Sequence, residues 1–221
     1  GTLLGDNTDY DGFLYLLKSA GAQVEGRKAL VLGSGGASLT VRAVLSELGA
    51  REIITISRSG ENNYQNLDRH ADAQIIVNAT PVGMYPNNGV SPVDLDQFPQ
   101  CEGVFDLIYN PSKTQLLLQA QRRGLIWGNG LGMLVAQAKA ASERFQGKKL
   151  PDELVADITA KLERETKNIL LIGMPGCGKT TVGKALAQRL GRPLADVDEK
   201  IIEEAGCSIP HIFATEGEEG F

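Results

Sequence analysis

The chain has little of what marks disulfide-rich, membrane-spanning or nucleic-acid-binding proteins. Its 221 residues include three cysteines and two histidines, and its net charge of -5 provides no basic surface for a nucleic-acid backbone. The three scattered cysteines are too few for a disulfide framework, so free thiols in a reducing cytoplasm are expected. No apolar run approaches the roughly 20 residues that span a bilayer. We therefore expect a cytoplasmic protein that binds neither nucleic acid nor a membrane.

The two histidines and the chain ends carry no strong signal of their own. His70 and His211 lie far apart and in no metal-ligand spacing, so both are interpreted as satisfied or surface side chains. The N-terminal residues lack the basic region and apolar core of a secretory signal. Because the chain has no initiator Met and stops inside a helical pattern, we expect both termini to be cuts in a longer chain.

Short apolar runs alternate with helical patterns, which is typical of a parallel sheet covered by helices on both faces. Strands are predicted at residues 29–32, 52–56, 73–78, 103–108 and 125–127. Helices are predicted at residues 9–20, 38–48, 113–123, 131–145 and 151–165. A further strand, 168–173, places a boundary near residue 166. We predict a Rossmann-type, doubly wound α/β domain over residues 1–166 and a second, incomplete α/β unit over residues 167–221.

A glycine-rich loop lies between the first predicted strand and a helix. It has the Gly-x-Gly start of a dinucleotide-binding turn, with Ser38 where the fingerprint prefers Gly or Ala. The first glycine would permit the tight turn, and the second would let the backbone approach a pyrophosphate at the helix N-terminus. A plain glycine turn is the alternative, because a single match to this pattern is weak. We expect four residues to bind the pyrophosphate: Gly33, Gly35, Gly36 and Ala37.

The end of the second predicted strand favours NADP over NAD. Enzymes that prefer NAD usually place an acidic residue there for the ribose hydroxyl, whereas this chain has Ser57, Arg58 and Ser59. The planar guanidinium of Arg58 is suited to the 2′-phosphate of NADP. A solvated loop arginine is the alternative interpretation. We expect these three residues to contact the phosphorylated ribose.

Four spaced motifs resemble segments of shikimate dehydrogenases, in the order of that family. They are Gly-x-Asn-Thr-Asp at residues 5–9, Asn-Ala-Thr at 78–80, Asp-x-x-Tyr-x-Pro-x-x-Thr at 106–114 and Gly-x-Gly-Met-Leu-x-x-Gln at 130–137. The resemblance covers roughly residues 1–162. It implies the NADP-dependent reduction of 3-dehydroshikimate to shikimate. In the family's Asn-Arg-Thr triplet, this chain has Ser57 where Asn is common.

The resemblance also implies site residues. Asp9 matches the Asp that works with a Lys on the reacting carbonyl and hydroxyl, and such a pair can exchange a proton as hydride moves. The substrate would be bound by Asn7, Asp9, Tyr109 and Gln137, and the cofactor would be lined by Asn78, Thr80, Gly130 and Met133. Without the resemblance, Asp9 would be interpreted as a helix N-cap, Tyr109 as a loop aromatic and Gln137 as a surface residue.

The family's substrate domain, with its catalytic Lys, would precede Gly1. We therefore expect this chain to bind NADP but to turn over substrate poorly or not at all. A dehydrogenase that also accepts quinate is an alternative, because the residues that select the substrate would lie mostly before Gly1.

A second glycine-rich loop, at residues 173–180, satisfies the full P-loop pattern Gly-x-x-x-x-Gly-Lys-Thr. In such a loop, successive N–H groups surround the phosphates, Lys179 reaches the outer phosphates and Thr180 offers its hydroxyl to Mg²⁺. A glycine-rich turn is the alternative. We expect ATP to be bound by Gly173, Gly176, Gly178, Lys179, Thr180 and Thr181.

The residues around and after the P-loop, 168–221, resemble the leading third of a shikimate kinase. The resemblance implies that Asp198 holds the shikimate hydroxyls and that Asp196 lies near the Mg²⁺ shell with Thr180. Without it, Asp198 would be the N-cap of a helix over 199–205. A sheet without its later strands buries little apolar surface, so we expect this segment to be loosely ordered by itself.

Together the two resemblances predict a piece of a fused enzyme of aromatic amino-acid biosynthesis. Its first part would make shikimate and its second would phosphorylate shikimate with ATP and Mg²⁺. A non-catalytic nucleotide-binding fragment is the alternative. The sequence leaves the oligomeric state open.

Overall fold

The computed structural model describes residues 5–220 and divides into two compact units, one ending at Thr166 and the other beginning at Lys167. The first unit is built on a parallel sheet of five strands in the order β2-β1-β3-β4-β5. The strands are β1 (Lys28–Leu32), β2 (Glu52–Ile56), β3 (Ile75–Asn78), β4 (Gly103–Asp106) and β5 (Ile126–Gly128). The parallel α/β fold predicted from the apolar runs is therefore confirmed.

Helices cover both faces of this sheet. They are α1 (Thr8–Ser19), α2 (Gly36–Glu47), α3 (Gln115–Arg122), α4 (Gly130–Gln146) and α5 (Glu153–Thr166), with 3₁₀ turns at Leu67–His70 and Leu95–Gln97. On one face, α1, α2 and α4 pack on Val31, Val77 and Phe105. On the other, α3 and both 3₁₀ turns pack on Leu30 and Ile76. Since alternate strand residues are buried on opposite faces, each side chain contributes about 1.5–3 kcal/mol to folding.

Helix α5 packs on α4, and an ionic cluster at Glu143 fixes the connection between them. The Glu143 carboxylate accepts a hydrogen bond from the Leu150 backbone N–H at 2.7 Å and from Lys139 Nζ at 3.0 Å. These donors, the backbone N–H first, lower the pKa of Glu143 to about 2. Val155 of α5 is buried against Val135 and Ala136 of α4.

The second unit contains α6 (Lys179–Leu190), α7 (Val197–Ala205) and α8 (Ile209–Gly220), the last interrupted at Gly217. The strand predicted at 168–173 is wrong, because no strand is present among residues 167–220. A strand needs a hydrogen-bonding neighbour, and this part of the unit offers none. The side chains of Leu170 and Ile172 are accordingly 79% and 84% exposed. Phe221, the last residue of the kinase resemblance, lies outside the described residues.

Within residues 5–220, no helix has both the length and the apolar character that a bilayer crossing requires.

Candidate functional site

The carboxyl ends of all five parallel strands meet at one edge of the sheet, and most of the predicted site residues follow directly from them. The order in which strands are added reverses between β1 and β3: β2 lies on one side of β1, whereas β3, β4 and β5 continue on the other. In open parallel sheets, ligands bind in the crevice at such a switch point. The register places Leu32 of β1 beside Asn78 of β3, so the loops after these two strands face each other.

Gly33 is the point of closest approach between these two loops. Its φ of 105° is a conformation that L side chains rarely adopt. A Cβ atom on Gly33 would lie 2.8 Å from Thr80 Cγ2 and 3.0 Å from the Ala79 carbonyl oxygen. Because any side chain would push the two loops apart, this position requires glycine.

The N-terminus of α2 opens at this crevice without a side-chain cap. Gly35 is the N-cap and makes no side-chain hydrogen bond, and Gly36 is the first helical residue. The first N–H groups of a helix have no partner inside it, so those of Gly36 and Ala37 are available to an anion. A Cβ on Gly35 or Gly36 would meet no atom within 4 Å. The space at these two glycines is therefore open, which leaves room for a pyrophosphate.

A buried polar network supports the loop that carries Thr80. Asn78 Oδ1 accepts hydrogen bonds from the Thr80 backbone N–H at 3.0 Å and from Thr80 Oγ1 at 2.6 Å. Asn78 Nδ2 donates to Asp106 Oδ1 at 3.0 Å, and Thr114 Oγ1 donates to Asp106 Oδ2 at 2.7 Å. Burial raises the pKa of the Asp106 carboxyl, and the hydrogen bonds from Thr114, Ile108 and Asn78 oppose that rise. The network therefore fixes the amide of Asn78.

Asp106 and Thr114 lie in one of the recognised motifs, but no role was predicted for either. The available signal was a short polar residue at the end of an apolar strand, followed eight positions later by a helix-capping Thr. Thr114 caps α3 and donates to Asp106 with the same hydroxyl group.

Arg58 lies on the loop after β2, at the same edge of the sheet. Its side chain is exposed, as is Ser59, whereas Ser57 is half-buried and donates its N–H to the Asn62 carbonyl at 3.1 Å. Burial raises the pKa of the nearby Tyr64 phenol, and the charge of Arg58 acts in the opposite direction. The guanidinium of Arg58 is therefore open to solvent and interacts electrostatically with Tyr64.

The predicted substrate residues Asp9 and Gln137 lie on α1 and α4, two helices that pack closely at Gly12. A Cβ on Gly12, one turn after Asp9, would lie 3.3 Å from Gln137 Cβ. Asn7 is the N-cap of α1, because its Oδ1 accepts the Asp9 N–H at 3.0 Å, and its Nδ2 donates to Thr40 Oγ1 of α2. The interpretation of Asp9 as the N-cap is therefore wrong: Asp9 lies in the first turn, where an acidic residue interacts favourably with the helix dipole.

The remaining dehydrogenase candidates lie on loops and at the start of α4. Tyr109 follows β4 and is 51% exposed. Asn129 caps α4 by accepting the Leu131 N–H at 3.0 Å. Gly130 packs against the Leu107 carbonyl group, and Met133 is buried beneath α1. Gly130 therefore brings α4 against the loop after β4.

The P-loop of the second unit is closed around its lysine. Lys179 Nζ donates to the carbonyl oxygens of Gly173 at 2.8 Å and Met174 at 3.0 Å. Gly178 is the N-cap of α6 with φ 87°, and a Cβ there or on Gly176 would meet no atom within 4 Å. Thr180 and Thr181 follow in the first turn of α6. The turn is therefore open at Gly176 and Gly178, whereas Lys179 would have to leave the Gly173 and Met174 carbonyls to reach a phosphate.

A hydroxyl and a carboxylate lie together beside this loop. Thr180 Oγ1 donates to Asp196 Oδ2 at 3.2 Å. Asp196 also caps α7 by accepting the Asp198 N–H at 3.1 Å. The interpretation of Asp198 as the cap is wrong, because α7 begins at Val197 and Asp198 lies inside its first turn. Residues 5–220 hold no group of three or more metal-ligating side chains. Mg²⁺ with a bound nucleotide needs only one or two protein ligands.

The fold defines the class of protein, a doubly wound α/β protein with a crevice at the switch point of its parallel sheet. The comparisons with known proteins agree. The chain is 36% identical over 166 residues to a shikimate dehydrogenase (NADP(+)) of Caldanaerobacter subterraneus subsp. tengcongensis, covering 66% of this chain and 59% of that protein. It is 32% identical over 176 residues to a shikimate dehydrogenase (NADP(+)) of Clostridium perfringens, and the match covers 74% of this chain and 65% of that protein.

Solved structures give the same result. A chorismate mutase/shikimate 5-dehydrogenase fusion protein from Clostridium acetobutylicum superimposes with a TM-score of 0.70 at 35% identity, covering 73% of this chain and 63% of that one. A Thermus thermophilus shikimate 5-dehydrogenase, in complex with NADP(H) and shikimate, gives 0.62 at 34% identity, covering 72% and 63%. The chain is therefore homologous to shikimate dehydrogenases.

The extent of each match differs. The chain spans about three fifths of the length of the first of these relatives, at 59%. Separately, a family model described as shikimate kinase matches residues 175–221. That match begins inside the P-loop and lies wholly in the second unit.

Proposed function

We propose that the first unit binds NADP and takes part in the interconversion of 3-dehydroshikimate and shikimate. The observation that carries this proposal is the convergence of the Gly33 turn, the uncapped N-terminus of α2 and Arg58 at one sheet edge. The homologues named as NADP(+) shikimate dehydrogenases support it. So does the matched structure described with NADP(H) and shikimate.

The cofactor roles follow from the geometry of the crevice. When bound, NADP supplies or accepts the hydride of this reaction. The loop residues Gly33, Gly35, Gly36 and Ala37 would hold the pyrophosphate, with the N–H groups of Gly36 and Ala37 as donors. The Gly33 N–H donates to the Ile56 carbonyl at 2.8 Å, so Gly33 would contribute the tight turn rather than a donor. Ser57, Arg58 and Ser59 would hold the phosphorylated ribose. Asn78 and Thr80, with Gly130 and Met133, would line the rest of the cofactor.

The substrate roles belong to the crossing of α1 and α4 and to the loop after β4. Asn7 is held by Thr40 and by the Asp9 backbone, so its side chain is oriented before a ligand arrives. Asp9 would exchange a proton with the substrate hydroxyl as the hydride moves. Tyr109 and Gln137 would contact the ring. The experiment is to assay NADP-dependent oxidation of shikimate, and of quinate, by this chain and by a version extended at both ends.

Inactivity of the extended version toward both substrates would overturn the enzyme proposal and leave a non-catalytic nucleotide-binding protein. Oxidation of quinate at a rate comparable to that of shikimate would extend the proposal to both substrates.

Replacing Arg58 with alanine should weaken the binding of NADPH and leave that of NADH unchanged. A charge-assisted hydrogen bond to a phosphate contributes about 1.5–3 kcal/mol, so we expect a 10- to 100-fold rise in the NADPH dissociation constant. The measurement is calorimetric titration of both coenzymes. Arg122→Ala, an exposed arginine at the end of α3, is the matched control and should change neither constant. Equal effects of Arg58→Ala on both coenzymes would contradict the assignment.

We further propose that the second unit binds Mg·ATP for transfer of a phosphoryl group to the 3-hydroxyl of shikimate. The support is the full P-loop, the Thr180–Asp196 pair and the shikimate kinase model that matches residues 175–221. Gly173, Gly176, Gly178, Lys179, Thr180 and Thr181 would bind the phosphates. Thr180 and Asp196 would face Mg²⁺, and Asp198 the shikimate hydroxyls. Two consecutive reactions would then share shikimate, as product of the first and substrate of the second.

Replacing Lys179 with alanine should weaken Mg·ATP binding about 10- to 100-fold, because the ammonium would pair with the outer phosphates. Calorimetric titration with Mg·ATP measures the change. Lys184→Ala, an exposed lysine on the same helix, is the matched control and should bind like the parent. If the parent chain and Lys179→Ala bind Mg·ATP equally, the P-loop role is disproved.

A further inference from the structure

The loop that carries Arg58 is held by hydrogen bonds from its own asparagines. Asn66 Oδ1 accepts the Asn63 N–H at 2.9 Å, and Asn66 Nδ2 donates to the Glu61 carbonyl at 2.8 Å. Asn63 Nδ2 donates to the Gly60 carbonyl at 3.1 Å. These contacts stabilise the loop internally. They do not attach it to the sheet.

Tyr64 packs on the buried cluster at the face of the sheet covered by α3, and His70 adds a hydrogen-bonded attachment through Asn62. The Asn62 carbonyl accepts the Ser57 N–H at 3.1 Å, which closes the loop around Arg58. The Asn62 side-chain Oδ1 lies 3.0 Å from His70 Nε2. Since a carboxamide oxygen only accepts hydrogen bonds, Nε2 carries the proton and donates it. Asn62 thus links the closure of the Arg58 loop to the 3₁₀ turn Leu67–His70.

The ring of His70 is fixed by the core rather than by solvent. It is 7% exposed and follows Leu67, which packs on the face of the sheet covered by α3. Its Nδ1 has no partner among residues 5–220, so the bond to Asn62 is the ring's single hydrogen bond in the described structure. Burial, and then the charge of Lys28, lower the pKa of His70, which favours the neutral ring. The interpretation of His70 as a surface histidine is therefore wrong, whereas the satisfied one holds for Nε2 but not for Nδ1.

We propose that His70 is a positioning residue for NADP specificity: through Asn62 it holds the loop that presents Arg58 to the 2′-phosphate. The inference rests on the proposed role of Arg58. Without the bond, the loop would sample conformations in which the guanidinium no longer meets the phosphate. The apparent affinity for NADP would be the intrinsic affinity multiplied by the fraction of molecules in which the loop is correctly placed. NAD lacks the 2′-phosphate, so its affinity would not change.

The experiment measures dissociation constants of NADPH and NADH for the whole chain by calorimetry. His70→Leu keeps an apolar side chain in the core and removes the donor. It should lower the preference for NADPH over NADH about three- to ten-fold, by raising the dissociation constant of NADPH while that of NADH stays the same. Asn62→Ala breaks the same hydrogen bond from the half-exposed side and should have the same effect, even if His70→Leu fails to fold. His70→Gln restores a donor and should recover the preference to within about two-fold.

Two further variants separate positioning from a general loss of stability. Val104→Ala weakens the same buried cluster without touching the loop, and it should leave the coenzyme preference unchanged. In an Arg58→Ala background, Asn62→Ala should have no additional effect, because the group that it positions is absent.

The outcomes are distinct. A preference unchanged in His70→Leu and Asn62→Ala, but lowered in Arg58→Ala, would overturn this inference alone. An equal loss of coenzyme preference in Val104→Ala would also overturn it. So would full additivity of the effects of Asn62→Ala and Arg58→Ala on NADPH binding. If Arg58→Ala itself keeps the preference, the proposed NADP role and this inference both fail.

Discussion

Replacing Gly130 with alanine is expected to destabilise the first unit by about 3 kcal/mol. A Cβ at this position would overlap the carbonyl oxygen of Leu107 and lie 2.6 Å from its carbonyl carbon. Both atoms belong to the backbone of the loop after β4, which cannot move aside as a flexible side chain does. The Gly130 N–H also donates to the Ile108 carbonyl at 3.0 Å, so the start of α4 is held against this loop. The substitution would separate them.

Gly132→Ala is the matched control, two residues further along the same helix. Its Cβ would lie 3.4 Å from Tyr15 Cε1, an ordinary van der Waals contact. Alanine has the higher helix propensity, so we expect this variant to be neutral or more stable by up to about 1 kcal/mol. Urea unfolding can be followed by the fluorescence of Trp127, the only tryptophan of the chain, on the neighbouring strand β5. If both variants unfold at the same urea concentration, the close approach at Gly130 has no energetic importance.

Replacing Gly35 with alanine should weaken the binding of NADPH and of NADH equally, by about 10- to 100-fold. The Cβ would enter the open space at the N-terminus of α2, where no atom lies within 4 Å and where we place the pyrophosphate. Both coenzymes contain that pyrophosphate. This result would differ from that of Arg58→Ala, which acts on the 2′-phosphate alone. Together the two variants would map the cofactor along the sheet edge.

The fold of Gly35→Ala should be nearly unaffected. The residue has φ −78°, which alanine adopts without strain, and at an N-cap alanine in place of glycine costs at most about 1 kcal/mol. The parent chain and the variant would be compared by calorimetric titration, with urea unfolding as the check on stability. Unchanged affinity for both coenzymes in a folded Gly35→Ala variant would refute a pyrophosphate site at the α2 terminus.

Local patterns predicted the first unit well. The apolar runs found all five strands, because a buried strand of a parallel sheet has no polar face to interrupt it. The same reasoning failed at residues 168–173, which are as apolar as β1 but have no neighbouring strand in the described second unit. Apolarity predicts burial, whereas a strand also needs a pairing partner. The caps of α1 and α7 were misplaced by two residues for a related reason. Each helix start has two candidate caps two positions apart, Asn7 and Asp9 or Asp196 and Asp198, and only the backbone angles show which one precedes the helix.

The sequence by itself determined the alternation of strands and helices, the two glycine-rich turns and the arginine after β2. Each of these depends on residues that are close together in the chain. The tertiary structure alone decided which polar groups act together: Asp106 with Asn78 across two strands, Asn7 with Thr40 across two helices, and His70 with Asn62 beneath the Arg58 loop. Burial, and the hydrogen bonds that compensate for it, depend on neighbours that chain folding brings together from distant positions.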